Sequence, residues 1–237
     1  MSKKLGDRMK SQYEVRTCYM LPRRTYTIVR LAGRAFHKYT EKLERPFDKQ
    51  FISDMCGTAQ TLCEEVQGVE FAYVQSDEIS LLLTDFALDE TQAFFNGNIQ
   101  KIVSITASIA TAKFNQLRKN NVITQGKLAH FDSRVFTIPD PIEVENYFLW
   151  RQRDCENNSL NMFAQSFFSH KQLHQKSNSQ KHEMLHEINQ NWNNLEDYLK
   201  RGVMIQYRTS AWEVLPAIMM HKQREEFRKM IPKMVVS

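Results

Sequence analysis

The sequence predicts an α+β fold, with a ferredoxin-like βαββαβ sheet followed by a helix-rich C-terminal extension. Short β-branched runs alternate with helical apolar spacing up to residue 138, and the later half becomes more helical and more polar. An acidic pair separates two adjacent strand-like runs, as at the tip of a hairpin. We therefore expect a sheet domain over residues 1–138 and a helical extension over residues 139–237 that packs on it, or one domain overall.

The first strand and helix are predicted from residue type and spacing. Residues 26–31 form a β-branched run, and Ala32 and Gly33 after it indicate a tight loop. A helix is expected from Asp48, which can cap it, to Gly68, because apolar residues recur between them at helical spacing.

The hairpin and the second helix complete the sheet domain. Residues 70–74 and 79–84 are strand-like runs on either side of the polar segment 75–78. Residues 98–117 carry apolar side chains on one helical face, and residues 131–138 again have the composition of a strand. The order strand, helix, strand, strand, helix, strand is that of a ferredoxin-like fold.

The C-terminal half is predicted to be mostly helical. Residues 140–143 combine an N-cap aspartate, a proline at the first helical position and a glutamate at the third, so a helix should begin there. Residues 170–194 are rich in His, Gln, Asn, Ser and Lys, which favours a polar loop followed by an exposed helix. Residues 203–207 predict a further strand, and residues 221–230 a basic terminal helix.

The composition is that of a folded protein with cations gathered near both ends of the chain. Seven Lys or Arg residues face two acidic residues in segment 1–24, and a second basic excess follows Met220. These clusters suit phosphate backbones, with an ordinary solvated surface as the alternative. No apolar run reaches the roughly 20 residues of a membrane span, the basic first residues lack the apolar core expected of a secretion signal, and the four cysteines form no C-x-x-C pair. We therefore expect a cytoplasmic protein without membrane contact.

The hairpin tip is the best candidate for a catalytic site. In a ferredoxin-like sheet the first strand lies beside the third, so the loop after Leu31 should approach Asp77 and Glu78. Two adjacent carboxylates between apolar strands require a compensating cation, and this meeting point is where polymerase palms hold metals. Mg²⁺ suits the position, because it binds through one or two carboxylates plus phosphates and water. The alternative is a solvent-facing turn that is merely acidic.

The loop of residues 32–37 is a second candidate. Gly33 would allow backbone N–H groups to approach a triphosphate, and the helix start after it would favour an anion. An ordinary strand-to-helix turn is the alternative.

Two other interpretations compete. His182, Glu183 and His186 match the H-E-x-x-H pattern of zinc proteases, but the polar neighbours favour a solvated helix face, and no third ligand stands out. A non-catalytic RNA-binding module could stack bases on Phe71 and Tyr73, although these residues fit a core-facing row better.

Several segments resemble one family, the tRNAHis guanylyltransferases and their bacterial and archaeal relatives. Residues 30–37, RLAGRAFH, are similar to the family's R-x-D-G-R-x-F-H loop, and residues 73–80, YVQSDEIS, to its Y-x-Q-S-D-E-x-S segment. The resemblance continues through residues 131–135, 150–154 and 183–202, so it spans nearly the whole chain in the same order.

The resemblance implies a polymerase palm that holds two Mg²⁺ ions and uses ATP and GTP or another nucleoside triphosphate. It implies tRNA as the partner, extended at its 5′ end in the 3′-to-5′ direction after ATP activates the 5′-phosphate, and a homotetramer. The implied catalytic and metal-binding residues are Asp77, Glu78 and, through its carbonyl, Gly33. The implied nucleotide contacts are Gly33, Arg34, Ala35, Phe36, His37, Arg45, Ser76, Asp77 and Lys101. The implied tRNA contacts are Arg134, Arg151 and Asn158.

This chain departs from the family pattern in two places. Ala32 stands where the family has a metal-binding aspartate, which implies weak catalysis with surviving nucleotide and tRNA binding. An engineered substitution is the preferred explanation, and a naturally impaired member is the alternative. Residues 155–159, CENNS, lack the H-I-N-N element of the eukaryotic enzymes. This favours bacterial-type repair of 5′-truncated tRNA, with addition of the extra guanylate of tRNAHis as the alternative.

Overall fold

The computed structural model describes residues 3–234 of the chain. The strands are β1 (Tyr26–Gly33), β2 (Val69–Gln75), β3 (Glu78–Leu83), β4 (Phe131–Ile138), β5 (Val203–Arg208) and β6 (Ala211–Pro216). The helices are α1 (Lys3–Met9), α2 (Phe36–Tyr39), α3 (Lys49–Glu65), α4 (Ile99–Arg118), α5 (Pro141–Gln165), α6 (His170–Leu173), α7 (Asn178–Glu187), α8 (Asp197–Arg201) and α9 (Arg224–Met230).

Over the described residues, the strands form one antiparallel sheet in the order β4-β1-β3-β2-β5-β6. The first four strands, with α3 and α4, have the predicted βαββαβ order, so the α+β prediction is confirmed. β5 confirms the strand expected at residues 203–207. β5 and β6 belong to the C-terminal half yet extend the same sheet. The sheet therefore contains strands from both sides of the boundary expected at residue 138.

Helices α3 and α4 cover one face of the sheet. Each begins at a side-chain cap, because Asp48 accepts a hydrogen bond from the Phe51 N–H and Asn98 from the Lys101 N–H. Their apolar faces bury the side chains that alternate toward them from the central strands. This core includes Val29, Leu31, Met55, Leu62, Val74, Ile79, Leu81, Ile102 and Phe114.

Helices α5 and α9 cover the opposite face. Asp140 caps α5 and Pro141 is its first residue, as the sequence predicts. Phe71 and Tyr73 point to this face and are each 1 % exposed. Because both rings are buried beneath the helices, they do not form the base-stacking platform of the alternative interpretation.

The polar segment after α5 folds into α6 and α7. Most of its side chains are exposed, as expected, but Leu185 and Trp192 are buried in a small cluster with Leu160 and Phe163. Leu185 is the buried residue of α7, and it packs the helix against α5. None of the helices between residues 3 and 234 is long and apolar enough to cross a membrane.

Candidate active site

The end of β1 meets the turn between β2 and β3, as predicted. The Gly33 N–H donates a hydrogen bond to the Asp77 carbonyl at 3.0 Å, and Ala32 pairs with Glu78 in the sheet register. On its other side Ala32 pairs with Asp132 of β4. Directly opposed residues point to the same face of an antiparallel sheet. The side chains of Asp132, Ala32 and Glu78 therefore form one row beside Asp77.

Asp77 is a partly buried carboxyl in an unfavourable electrostatic environment. Burial raises its pKa, and the negative charges of Glu78 and Asp132 raise it further. Hydrogen bonds from the backbone and from the Ser76 hydroxyl oppose this shift. Among residues 3–234, no cationic side chain forms an ion pair with Asp77. A bound cation would relieve the repulsion.

Replacing this carboxyl with an amide tests the electrostatic strain. A carboxyl with a raised pKa binds protons more tightly in the folded state, so its ionisation destabilises the fold as pH rises. We expect Asp77→Asn to raise the Tm at pH 7 and to leave it unchanged at about pH 3, below the unfolded-state pKa. Thermal unfolding at both pH values measures this, with Asp7→Asn on the exposed face of α1 as the control. A lower Tm for Asp77→Asn at pH 7 would exclude the strain.

Glu78, in contrast, is held by two arginines. Its carboxylate is bound by the guanidinium of Arg30, and the Arg151 Nε lies 2.8 Å from its Oε1 atom. The Gln75 amide adds a hydrogen bond of 3.3 Å to the same oxygen. Glu78 is 8 % exposed and Arg151 3 %. Both oxygens of Glu78 are thus occupied by protein groups, in an arrangement that we call the arginine clamp (Arg30, Glu78 and Arg151).

The clamp changes the interpretation of Arg151, which the sequence places at the tRNA. Its side chain turns inward from α5 to Glu78 and Asp154 and is not presented to a surface. The reason is the buried charge of Glu78, which requires a compensating cation. The role of Arg151 in this structure is to hold the hairpin.

Breaking the clamp is expected to destabilise the fold. Removing one partner of a buried ion pair costs about 3 to 5 kcal/mol, and the remaining Arg30 should keep the loss for Arg151→Met at about 2 to 3 kcal/mol. Denaturant unfolding measures this, with Arg153→Met on the exposed side of α5 as the matched control. If Arg151→Met unfolds like the control, Arg151 does not stabilise Glu78.

The loop after β1 is fixed by backbone hydrogen bonds and by an aromatic cluster. The Gly33 and Arg34 N–H groups already donate to the carbonyls of Asp77 and His130. Ala35 adopts a left-handed conformation, with φ of 55°, and starts α2. In the first turn of α2 the Lys38 N–H donates to the Ala35 carbonyl, whereas the N–H groups of Phe36 and His37 have no backbone acceptor among the described residues. They remain the backbone donors available to an anion.

Gly33 is needed for the close approach of this loop to its own aromatic ring. A Cβ atom at Gly33 would lie 2.3 Å from the Phe36 ring. The ring cannot easily move, since Phe36 is 4 % exposed and packs against other aromatic side chains. These are Tyr39, Phe51, Phe114 and Phe131. The absence of a side chain at Gly33 and the packing of the Phe36 ring therefore fix the position of the loop.

Three other predicted site residues lie outside the hairpin, two at a neighbouring cleft and one on β4. Asn158 lines an apolar cleft that also contains Ser76, and the exposed Arg45 precedes Phe47 of the same cleft. Arg134 is exposed on β4, 3.8 Å from Asp132.

The structure does not bring Lys101 to this site. Lys101 lies in the first turn of α4, which follows the far end of β3. That end is marked by the pairing of Thr27 with Leu83, whereas the hairpin lies about 17 Å away at the other end of the strand. The topology places the N-terminus of α4 there, because the helix must run back along the sheet before β4 begins.

Sequence reasoning missed two members of the site, Asp132 and Arg30, and assigned Arg151 to tRNA instead of to Glu78. Asp132 pairs with Ala32, and Arg30 and Arg151 hold Glu78. Asp132 and Arg30 lie in segments that resemble the family, and this was the available signal. Their roles depend on strand register and side-chain direction, which the motifs do not give.

The donor set fits a single Mg²⁺ ion better than two. Asp77 supplies a carboxylate that lies near other negative charges without a cationic partner. Such a carboxylate suits a Mg²⁺ ion that also binds substrate phosphates and water. Ala32 contributes no oxygen ligand, and Glu78 is engaged by the clamp. Within the described part of the chain, no group of three or more His, Cys, Asp or Glu residues could hold a metal ion by itself. The two-ion set implied by the resemblance is therefore incomplete in this chain.

Comparison with known proteins gives consistent matches. Residues 6–139 match the family model of tRNAHis guanylyltransferase. The tRNA(His) guanylyltransferase of Debaryomyces hansenii is 30 % identical over 213 residues, which cover 82 % of this chain and 77 % of that protein.

Solved structures also match over nearly the whole chain. A bacterial tRNA(His) guanylyltransferase-like protein in complex with ATP has a TM-score of 0.90 and 40 % identity, covering 96 % of this chain and 99 % of that one. A second such structure, in complex with GTP, has a TM-score of 0.80 and 36 % identity, with coverages of 97 % and 99 %. The Saccharomyces cerevisiae tRNA(His) guanylyltransferase shares the fold, with a TM-score of 0.74, 21 % identity and coverages of 90 % and 97 %.

Proposed function

The chain belongs to the tRNAHis guanylyltransferase family of tRNA nucleotidyltransferases, and from that premise we propose that it adds nucleotides to the 5′ end of tRNA in the 3′-to-5′ direction. The observation that carries the proposal is the contact between the Gly33 loop and the Asp77 hairpin. It brings backbone donors and an uncompensated carboxylate to one place. The bacterial-type relatives in complex with ATP and GTP support nucleoside triphosphates as substrates.

In the proposed reaction the 5′-monophosphate of the tRNA first attacks the α-phosphate of ATP, which forms an adenylylated 5′ end and releases pyrophosphate. The 3′-hydroxyl of an incoming nucleotide then attacks this activated phosphate and releases AMP. Phosphoryl transfers of this type require mainly positioning and charge neutralisation from the protein. Asp77 would hold Mg²⁺, which when bound neutralises charge on the phosphates.

The other residues of the site would bind and orient the substrates. The free N–H groups at the start of α2, with the Ser76 hydroxyl, would bind a triphosphate. The arginine clamp would keep the hairpin rigid, so that Asp77 stays in register with Gly33. Arg45 and Asn158, near the cleft beside Ser76, are proposed contacts for nucleotide and tRNA, and Arg134 for tRNA phosphate.

Ala32 is proposed to make this chain a weak catalyst. Its methyl group lies between Asp132 and Glu78, where the family pattern has a carboxylate. Binding of nucleotide and RNA uses other groups and should survive.

We propose 5′-end repair of truncated tRNA as the biological reaction. Support comes from the 40 % identity with a bacterial-type protein and from the missing H-I-N-N element. The test compares 5′-monophosphorylated truncated tRNA with intact tRNAHis, using the Ala32→Asp variant with ATP, nucleoside triphosphates and Mg²⁺. Faster extension of the truncated tRNA is expected. A preference for intact tRNAHis, with guanylate added beyond the normal 5′ end, would instead indicate the guanylyltransferase reaction.

A cytoplasmic homotetramer fits the same proposal. The N-terminal segment exposes Leu5, Met9 and Tyr13 at intervals of four residues, so they lie on one helical face. Contact with another copy would cover such an apolar face.

A further inference from the structure

Trp150 is an exposed aromatic residue beside the candidate site. It lies on α5 between Leu149 and Arg151, which are 7 % and 3 % exposed, yet Trp150 itself is 52 % exposed. The other two tryptophans of the chain are more deeply placed, Trp192 in the buried core and Trp212 partly covered. The exposed part of the ring is therefore accessible to a ligand.

The ring is held in place by the arginine clamp. The Arg151 guanidinium carbon lies 4.2 Å from the Trp150 ring centroid, and that of Arg30 lies 5.8 Å away. Tyr147 adds an edge contact at a centroid distance of 6.0 Å. Because both arginines are fixed by Glu78, the indole is braced by groups that cannot easily move. A rigid ring loses little conformational entropy when it binds a second flat group.

The position of Trp150 relates it to the proposed chemistry. Arg30 points to the same sheet face as Ala32, two residues away along β1, or about 7 Å. Arg134 pairs with Arg30 in the register, and its side chain is 65 % exposed, so a guanidinium that only a solvent-exposed ion pair with Asp132 engages borders the same surface. This surface thus combines the rigidly held Trp150 ring with the exposed Arg134 cation. Both lie next to the row formed by Asp132, Ala32 and Glu78.

We propose that Trp150 is a stacking platform for the unpaired base at the end of the RNA stem whose 5′ end enters the site. A nucleobase stacks on an exposed aromatic ring, while a phosphate beside it pairs with a cation. The last base of a stem has one face without a stacking neighbour, and this face must lie close to the reacting 5′-phosphate. This inference rests on the proposed function, because it assumes that an RNA end occupies the site.

RNA binding by the full chain tests the platform without requiring catalysis. The probe is a labelled, 5′-monophosphorylated RNA hairpin with one unpaired 3′-strand nucleotide opposite the missing 5′ nucleotide. A second hairpin carries an abasic site at that position. Stacking of one base on an aromatic residue should make the first hairpin bind about tenfold more tightly than the second. Trp150→Ala should abolish this difference, and Trp150→Phe should retain most of it.

The controls separate stacking from a structural role. Ile142→Ala removes another exposed apolar side chain of α5 and should preserve the tenfold difference. Affinity for ATP should be the same in all variants. If the unmodified chain binds the two hairpins equally tightly, the proposed platform is wrong. It is also wrong if Trp150→Ala weakens the binding of both hairpins equally and lowers the Tm. Failure to bind either hairpin overturns both the platform and the proposed function, whereas binding without a base preference overturns only the platform.

Discussion

Replacing Ala32 with aspartate is expected to raise the rate of nucleotide addition to truncated tRNA by about a hundredfold or more. The new carboxylate would lie in the row between Asp132 and Glu78, next to Asp77 and the Gly33 carbonyl. It would supply the anionic ligand that a second Mg²⁺ ion requires. A metal ligand contributes several kcal/mol of charge stabilisation in the transition state, and each 1.4 kcal/mol is a factor of ten in rate.

Initial rates of the two proteins, measured side by side at saturating ATP and Mg²⁺, provide the test. Ala32→Asn is the matched control, because its amide has nearly the size of the carboxylate but no charge. It should remain close to the Ala32 protein. Equal rates for Ala32 and Ala32→Asp would show that this position does not limit catalysis.

Replacing Gly33 with alanine is expected to have the second-largest effect. The added Cβ would overlap the Phe36 ring at 2.3 Å. Overpacking of a filled core costs about 1 to 3 kcal/mol of stability. The loop must also shift relative to Asp77, and a displacement of about 1 Å lowers a rate by about a hundredfold. In the Ala32→Asp background we therefore expect Gly33→Ala to remove most of the recovered activity.

Two comparisons make this result specific. Gly6→Ala is a suitable control, since nothing lies within 4 Å of the position of its Cβ. Combining Gly33→Ala with Phe36→Leu should recover part of the lost stability, because the smaller side chain gives way to the methyl group. If Gly33→Ala keeps full activity, the close packing of the loop is not needed for the reaction.

The sheet could be predicted from the sequence because its signals are local. Apolar residues follow one period in strands and another in helices, which identifies the run at residues 26–31, the strands of the acidic hairpin and the two amphipathic helices. The order of these elements restricts the topology. β6 was missed. Its side chains are mostly half-buried or exposed, and its turn from β5 uses Thr209 and Ser210 with positive φ instead of glycine.

The candidate site was predicted only in part, for a different physical reason. The meeting of Gly33 and Asp77 follows from topology alone. The inward turn of Arg151 depends on which side of α5 packs against Glu78, and the pairing of Asp132 with Ala32 depends on strand register. A one-residue shift reverses the direction of every side chain in a strand, so motifs cannot fix such contacts. Lys101 shows the same limit, because its distance from the hairpin is set by the course of the whole helix.

The central claim, growth of RNA at its 5′ end, is tested most directly with an RNA that cannot grow at its 3′ end. Truncated tRNA with a 5′-monophosphate is oxidised at its 3′-terminal ribose and incubated with the Ala32→Asp variant, ATP, labelled nucleoside triphosphates and Mg²⁺. We predict a product longer by one or more nucleotides, with the label at the 5′ end. Labelled product only from RNA with an intact 3′ end would contradict the account.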